Sequence, residues 1–191
     1  MNNIYDKFMA PLEERWLARY RRLLMPYAKG RVLEVGFGTG VNLKYYDFSA
    51  VESLTALDMK TEKEIEPAEK HPVRFVKGEA EVLPFEDSSF DSVVETLVLC
   101  SVKDIEKSVS EFLRVLKPGG TLIFIDHVLP ARPLMAKVFK GVDVIWTKIT
   151  KSCSLIKEPH LIIEKKDNIR FIEKGSFASG VFRYGVAVKE K

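Results

Sequence analysis

The chain has 191 residues, of which 46% are hydrophobic, so it can bury a core and a disordered chain is excluded. Thirty basic and 27 acidic residues give a net charge of +3, which is too balanced to indicate a nucleic-acid-binding protein. Its two cysteines, Cys100 and Cys153, are too few for a disulfide framework or a thiolate metal cage. No signal peptide and no run of about 18 apolar residues is found, so we expect a cytoplasmic protein. Because the cysteines are too few for a thiolate cage, we also expect no metal.

The pattern of apolar residues predicts an amphipathic helix that ends near Pro26, followed by alternating strands and helices. Strands are predicted at 31–35, 53–59, 73–77, 90–97 and 121–126, helices at 41–46, 104–116, 133–149 and 159–166, and a final hairpin at 169–174 and 181–189. The turn at 117–120 is expected to separate the third helix from the fifth strand. This order predicts an α/β fold with a mostly parallel seven-stranded sheet and an antiparallel C-terminal hairpin. Ligands of such sheets bind beyond the carboxyl ends of the strands.

Three closely spaced glycines follow the first predicted strand, in the segment E-V-G-F-G-T-G at 34–40. The third is Gly40, whereas the dinucleotide fingerprint G-x-G-x-x-G would place it at position 41. This spacing disfavours a pyrophosphate and favours a nucleoside with an amino-acid tail; the alternative is an ordinary strand-to-helix turn. Asp58 ends the second predicted strand, where an acidic side chain accepts hydrogen bonds from ribose hydroxyls. The alternative for Asp58 is a helix cap.

Four segments in this order resemble the motifs of class I S-adenosylmethionine (SAM) methyltransferases. They are E-V-G-F-G-T-G at 34–40, G-E-A-E-V-L-P-F at 78–85, F-D-S-V-V at 90–94 and E-F-L-R-V-L-K-P-G-G at 111–120. The resemblance implies a Rossmann-like class I methyltransferase fold, with SAM as the cofactor and S-adenosylhomocysteine as the product. It also implies that Glu79, in place of the usual Asp, and the backbone of Ala80 hold the adenine.

A closer resemblance is to the alkyl-thiol methyltransferases and their bacterial relatives. It rests on T-L-V-L-C-S-V-K-D at 96–104, D-H-V at 126–128, an Asp143 and Trp146 pair before C-S-L at 153–155, and the terminal 184–189. The chain differs from that group at 156–157, where Ile-Lys replaces Arg, and we expect no apolar N-terminal anchor like that of the animal members. Prokaryotic phospholipid and quinone methyltransferases share the same core.

Methyl transfer from a sulfonium is an in-line displacement that mainly requires alignment and exclusion of water. His127 follows the fifth predicted strand and is a candidate general base, or else it shapes the acceptor pocket. Asp126 could orient His127, and both are our catalytic candidates. Glu34 is expected to fix the glycine loop and the SAM amino group, which backbone carbonyls near Thr96 and Leu97 also meet. We disfavour Cys100 and Cys153 as nucleophiles.

The predicted cofactor-binding residues are Tyr5, Glu34, Gly36, Phe37, Gly38, Thr39, Gly40, Asp58, Met59, Glu79, Ala80, Thr96 and Leu97. We divide a single domain, 1–191, into an N-terminal lid helix at 1–28, a cofactor-binding core at 29–128 and an acceptor side at 129–191. Alternatives for the first helix, which carries Arg15, Arg19, Arg21 and Arg22, are a membrane-surface helix and simple packing on the sheet.

The helix at 133–149 is expected to wall the acceptor pocket with Val142, Ile145 and Trp146, which would make that pocket apolar. His71 and His160 are expected to be isolated and exposed. The sequence therefore predicts a monomeric or homodimeric SAM-dependent methyltransferase with a small, rather apolar acceptor, and the closer resemblance favours a thiol. The alternatives are a phospholipid or quinone methyltransferase in peripheral contact with a membrane, and a SAM-binding protein without catalysis.

Overall fold

The computed structural model describes residues 13–60, 73–150 and 153–191. Its seven strands form one sheet in the order β3-β2-β1-β4-β5-β7-β6. The strands are β1 (Gly30–Val35), β2 (Val51–Asp58), β3 (Val73–Lys77), β4 (Phe90–Thr96), β5 (Leu116–His127), β6 (Ile169–Phe177) and β7 (Phe182–Lys189). Strands β1 to β5 pair in parallel, and β7 is antiparallel to both β5 and β6. The predicted sheet and its antiparallel hairpin are confirmed.

Four α-helices accompany the described sheet: α1 (Ala18–Leu24), α2 (Ile105–Val115), α3 (Pro133–Thr150) and α4 (Pro159–Glu164). A π-helical turn at Glu13–Leu17 leads into α1, and a 3₁₀ turn at Met25–Tyr27 follows it. Helix α2 begins at Asp104, whose carboxylate accepts a hydrogen bond from the backbone N–H of Lys107 at 2.9 Å. No helix within these described ranges is long and apolar enough to cross a membrane.

Each face of the sheet carries a hydrophobic core, and the two helices that come first in the chain cover opposite faces. Phe112 and Leu113 of α2 pack with Leu33 on one side. Leu24 of α1 and Leu17 just before it pack with Ile123 and other apolar residues on the other side. The described part of the N-terminal helix therefore packs on the sheet.

Two predicted local structures are wrong. The segment 41–46 is not an α-helix, because only Leu43–Tyr45 forms a 3₁₀ turn. Instead, this segment turns the side chains of Asn42 and Tyr46 toward Glu34, as described below. The segment 117–120 is not a turn before the fifth strand, because β5 already begins at Leu116, which pairs with Phe90. The pairing of β4 with β5 shifts register between Phe90 and Ser92, because Phe90 pairs with Leu116 and Ser92 with Thr121. The residues 117–120 therefore form an irregularity within the strand pair.

Arg114 of α2 ties the segment that precedes β4 to the helix. Its guanidinium forms paired hydrogen bonds of 2.7 and 2.8 Å to the carboxylate of Glu111 and one of 2.7 Å to Asp87. It also donates to the carbonyl oxygens of Phe85 at 2.8 Å and Leu83 at 3.1 Å. This explains the spacing of the E-x-x-R segment, because residues three apart share a helix face.

We therefore expect Arg114→Lys to lower the free energy of unfolding by roughly 1–3 kcal/mol, because one ammonium cannot replace a planar fork that serves four acceptors. Urea unfolding measures the change. Arg170→Lys is the matched control, since Arg170 is exposed and makes a single, longer ion pair of 3.5 Å with Glu190. Equal losses in the two variants would contradict this role of Arg114.

Candidate functional site

The carboxyl ends of four parallel strands, β1, β2, β4 and β5, lie at one edge of the sheet. The chain leaves β1 through Gly36, whose N–H donates to the carbonyl oxygen of Leu57 in β2 at 2.8 Å. It leaves β4 through Leu97, whose N–H donates to Ile125 in β5 at 2.7 Å. Leu97 has a φ of 62°, a conformation that non-glycine residues adopt at an energetic cost and often at functional sites.

The glycines of the loop after β1 have a backbone conformation that residues with side chains rarely adopt. Gly36, Gly38 and Gly40 have φ values of 71°, 58° and 74°. A Cβ atom on Gly36 would lie 2.2 Å from the side chain of Val98, which follows β4. The loop therefore brings bare backbone close to the end of β4, as a cradle for a ligand requires.

Asp58 holds this loop from the neighbouring strand. Its Oδ2 accepts a hydrogen bond from the N–H of Gly38 at 2.9 Å, and its Oδ1 accepts one from the N–H of Lys60 at 3.0 Å. The carboxylate thus joins the glycine loop to the turn after β2, next to the exposed Met59. Asp58 lies where the sequence places a ribose ligand, and its contact with ribose stays a prediction.

Glu34 is the centre of a buried polar network under the loop. Only 2% of Glu34 is exposed, and its two carboxylate oxygens accept from Asn42 Nδ2 at 2.8 Å and from the hydroxyl of Tyr46 at 2.6 Å. Burial raises the pKa of Glu34 from its usual 4.5 to about 7, although these hydrogen bonds and the nearby Arg21 act in the opposite direction.

The same network reaches the first helix and β4. Arg21 of α1, itself buried, donates through Nη1 to Asn42 Oδ1 and, at 2.9 Å, to Thr96 Oγ1 at the end of β4. The sequence analysis missed Arg21, Asn42 and Tyr46. A signal for Arg21 was present, because it stands four residues after Leu17 on what proves to be the buried face.

Two further acids, Glu95 of β4 and Asp126 of β5, are fully buried. Each accepts one backbone hydrogen bond, Glu95 from Val98 at 3.3 Å and Asp126 from Cys100 at 3.4 Å. Their other oxygens, Glu95 Oε1 and Asp126 Oδ2, have no donor among the described residues. Burial and the Asp126 charge raise the pKa of Glu95, and burial raises the pKa of Asp126 to about 6.

Next to this pair, three side chains from distant segments form a cluster that we call the Cys-His-Cys cluster, Cys100, His127 and Cys153. All three are buried. His127 Nε2 lies 2.8 Å from Cys153 Sγ, and the two sulfur atoms are 3.8 Å apart. Trp146 Nε1 donates to Cys153 Sγ at 3.3 Å. The sequence analysis disfavoured both cysteines as nucleophiles and did not predict that they meet each other and His127.

Hydrogen bonds set the charges in this cluster. Those from Cys100, His127 and Trp146 hold the pKa of the Cys153 thiol well below its usual range, against the effect of burial. The bond to Cys153 and burial raise the pKa of Cys100. Burial lowers the pKa of His127, but the contact with Cys153 and its charge outweigh burial and raise it.

Asp143 holds the segment that contains Cys153. This acid of α3 is buried and accepts hydrogen bonds from the N–H of Leu155 at 2.6 Å and the hydroxyl of Ser154 at 3.3 Å. Ser154 N–H in turn donates to the carbonyl oxygen of Cys100 at 3.0 Å. The spacing of Asp143 and Trp146 before C-S-L thus anchors one segment beside α3.

The chain is similar to known proteins in both sequence and fold. Residues 33–124 match a family model described as a methyltransferase domain. Thiol S-methyltransferase TMT1A of Homo sapiens is 32% identical over 171 residues, which cover 85% of this chain and 69% of that protein. The chain belongs to the SAM-dependent methyltransferase family.

Three further proteins are similar to this methyltransferase. Demethylmenaquinone methyltransferase of Clavibacter sepedonicus is 31% identical over 143 residues, covering 73% of this chain and 57% of that protein. The crystal structure of YcgJ from Bacillus subtilis has a TM-score of 0.68 at 19% identity, covering 92% of this chain and 98% of that one, and shows the shared fold. The chain spans only 31% of a mitochondrial methyltransferase of Saccharomyces cerevisiae that it also matches.

Most of the predicted cofactor residues of the methyltransferase lie along the edge described above. They are Glu34, Gly36, Phe37, Gly38, Thr39, Gly40, Asp58, Met59, Thr96 and Leu97. Glu79 and Ala80 follow β3, where the backbone of Glu79 pairs with Val82 and Ala80 is buried. Tyr5 lies outside the described residues, and so does His71.

Two expectations for the acceptor side are wrong. Val142 and Ile145 of α3 are 46% and 63% exposed, so they do not line an enclosed pocket among the described residues. Only Asp143 of this helix is buried, because the helix packs through its polar contacts with 153–155. His160 is buried rather than exposed, and burial lowers its pKa.

The raised pKa of Glu34 predicts a pH-dependent stability. Between pH 4.5 and about 7, the folded protein holds a proton on Glu34 that the unfolded chain releases. The free energy of unfolding should therefore fall as the pH rises through this range, by roughly 3 kcal/mol at most. Glu34→Gln should lose this component, while Glu52→Gln, at an exposed position of β2, should keep it. Urea unfolding at several pH values measures both, and parallel pH profiles for parent and Glu34→Gln would contradict the prediction.

Proposed function

We propose that this methyltransferase transfers the methyl group of SAM to the sulfur of a small, apolar thiol. The observation that carries the proposal is the extent of the likeness to the human thiol S-methyltransferase. It runs over 171 residues, whereas the general methyltransferase model matches only 33–124. The likeness therefore includes residues outside the cofactor-binding core, where acceptors are selected.

The residues at the sheet edge fit SAM as the donor. The glycine loop turns with positive φ values and leaves its backbone without side chains at three positions, and Asp58 accepts a hydrogen bond from it. Glu34 fixes the loop from below through Asn42 and Tyr46, and Glu79 is placed after β3. When bound, SAM supplies an electrophilic methyl group whose leaving thioether is neutral, so the protein needs no acid for the leaving group.

The acceptor must lose a proton before or during transfer, because a thiolate is the reactive form of a thiol. His127 is our candidate base, and Asp126 lies beside it at the end of β5. In the structure His127 Nε2 contacts Cys153 Sγ at 2.8 Å, so a base role requires that this contact be exchanged for the acceptor. The alternative role, shaping the pocket, requires no exchange.

The second candidate function is methylation of a quinone or phospholipid at a membrane surface. The exposed side of α3 favours it, because apolar Leu134, Val138 and Ile145 alternate with exposed Lys137 and Lys140. The relative named as a demethylmenaquinone methyltransferase supports the same alternative. A cytoplasmic location fits the thiol reaction, and peripheral membrane contact fits this alternative.

Asp58→Ala should weaken SAM binding by roughly 1.5–3 kcal/mol, because one charged acceptor is lost. Asp58→Asn should lose less, since its amide oxygen can still accept from Gly38. Glu52→Ala is the control, at the opposite end of the same strand. Isothermal titration with SAM measures the affinities and urea unfolding checks that each variant is folded; unchanged affinity in a folded Asp58→Ala would remove Asp58 from the donor site.

A panel of acceptors tests the reaction itself. With SAM labelled in its methyl group, kcat/KM should rise about fourfold for each added methylene along a series of alkyl thiols, because burying a methylene contributes about 0.8 kcal/mol. Small amines and phenols should give little product. A methylated quinol or phosphatidylethanolamine without any methylated thioether would overturn the thiol reaction and favour the membrane-surface alternative.

A further inference from the structure

The Cys-His-Cys cluster brings three metal-ligating atoms together inside the protein. Cys100 lies in the loop after β4, His127 ends β5, and Cys153 follows α3. Their Sγ, Nε2 and Sγ atoms all lie within 4.8 Å of one another, and the three residues are 0%, 5% and 3% exposed. Both cysteines are free thiols.

We propose that Cys100, His127 and Cys153 bind a zinc ion and that its fourth ligand is the thiol of the acceptor. The second part rests on the proposed function. Two thiolates and an imidazole are among the ligand sets that zinc prefers, and catalytic zinc sites have three protein ligands and leave one position for water or substrate.

The distance between the two sulfur atoms fits a zinc ion, and the nitrogen–sulfur distance requires a small adjustment. With zinc–sulfur bonds of about 2.3 Å in a tetrahedron, two sulfur ligands stand about 3.8 Å apart. Cys100 Sγ and Cys153 Sγ are separated by 3.8 Å. A nitrogen and a sulfur ligand stand about 3.6 Å apart in the same geometry. His127 Nε2 is 2.8 Å from Cys153 Sγ, so zinc binding requires these two atoms to separate by about 0.8 Å.

Backbone and carboxylate contacts hold the segments of two of the ligands in place. The segment of Cys153 is fixed through Leu155 and Ser154, which donate to Asp143. The backbone N–H of Cys100 donates to Asp126. Such supporting contacts keep ligands oriented toward a common point, as metal sites require.

The proposed ion would activate the acceptor in place of a base, because an Nε2 of His127 that binds zinc cannot also accept a proton. A thiol that coordinates zinc releases its proton to solvent and binds as a thiolate. A lone pair of that sulfur then forms the new carbon–sulfur bond while the sulfonium carbon–sulfur bond breaks, and both electrons of that bond go to the departing thioether. The methylated product is neutral and so binds zinc more weakly than the thiolate. No oxidant or reductant is needed.

Metal binding to the whole protein tests the site. Reduced, chelator-treated protein is dialysed against zinc, and bound metal is measured by mass spectrometry. We expect one zinc ion per chain, and affinity losses above about 100-fold in Cys100→Ser, Cys153→Ser and His127→Gln. His160→Gln is the matched control, because His160 is also buried but lies outside the cluster. Absence of zinc binding by the parent, or binding that survives Cys153→Ser and His127→Gln, would overturn the proposal.

Cobalt in place of zinc gives a readout that does not depend on the folding of a variant. The parent protein should show thiolate-to-cobalt charge-transfer absorption from two sulfur ligands. An alkyl thiol should raise this absorption about 1.5-fold, because a third sulfur joins the ion. An unchanged spectrum at saturating thiol would overturn coordination of the acceptor.

The outcome for the metal site is separate from the outcome for the proposed function. Zinc binding that depends on the cluster, together with no methylated thioether from any thiol, would refute the thiol reaction and leave the metal site supported. Methylated thioether formed at equal rates by zinc-free and zinc-loaded protein would support the reaction and overturn activation by the ion.

Discussion

The carboxylate of Glu34 lies near the end of the inner strand β1, out of contact with water, and the chain around the glycine loop is arranged to give it hydrogen-bond partners. A buried carboxylate is stable only if donors surround it or a proton neutralises it. Asn42 and Tyr46 provide two donors, and this fixes the course of the chain after the glycine loop. Asn42 also engages Arg21, so the position of α1 depends on the same group.

Buried polar side chains also organise the acceptor side, but they come from more distant segments. Glu95 and Asp126 face each other from adjacent strands, and the backbone of Cys100 donates to Asp126. Cys100 in turn meets Cys153, whose segment is anchored to α3 by Asp143. The loop after β4, the end of β5 and helix α3 are therefore joined by polar contacts rather than by a continuous apolar core.

The sequence predicted the parts of this structure that depend on local patterns. Strand periodicity and glycine spacing were sufficient for the sheet and the loop at 36–40, because both follow from neighbouring residues. The meeting of Cys100, His127 and Cys153 was not predictable in this way, since it depends on how three separate segments pack. Helix α3 was misjudged for a related reason. A pattern shows which residues share a helix face, but it does not show whether another element covers that face.

The glycine-loop edge depends on local sequence patterns, whereas the region around the Cys-His-Cys cluster depends on the packing of distant segments. Membership in the family is therefore more informative about the first than about the second. The cofactor edge depends on backbone conformation, such as the positive φ values of Gly36, Gly38 and Gly40, and on acids at strand ends, which a short motif preserves. The acceptor side is assembled from loops and from α3, which can change without disturbing the sheet. Relatives named for a thiol and for demethylmenaquinone are about equally similar to this chain. Membership in the family therefore indicates SAM as the methyl donor, and the choice between a thiol and a quinone depends on residues outside the conserved motifs.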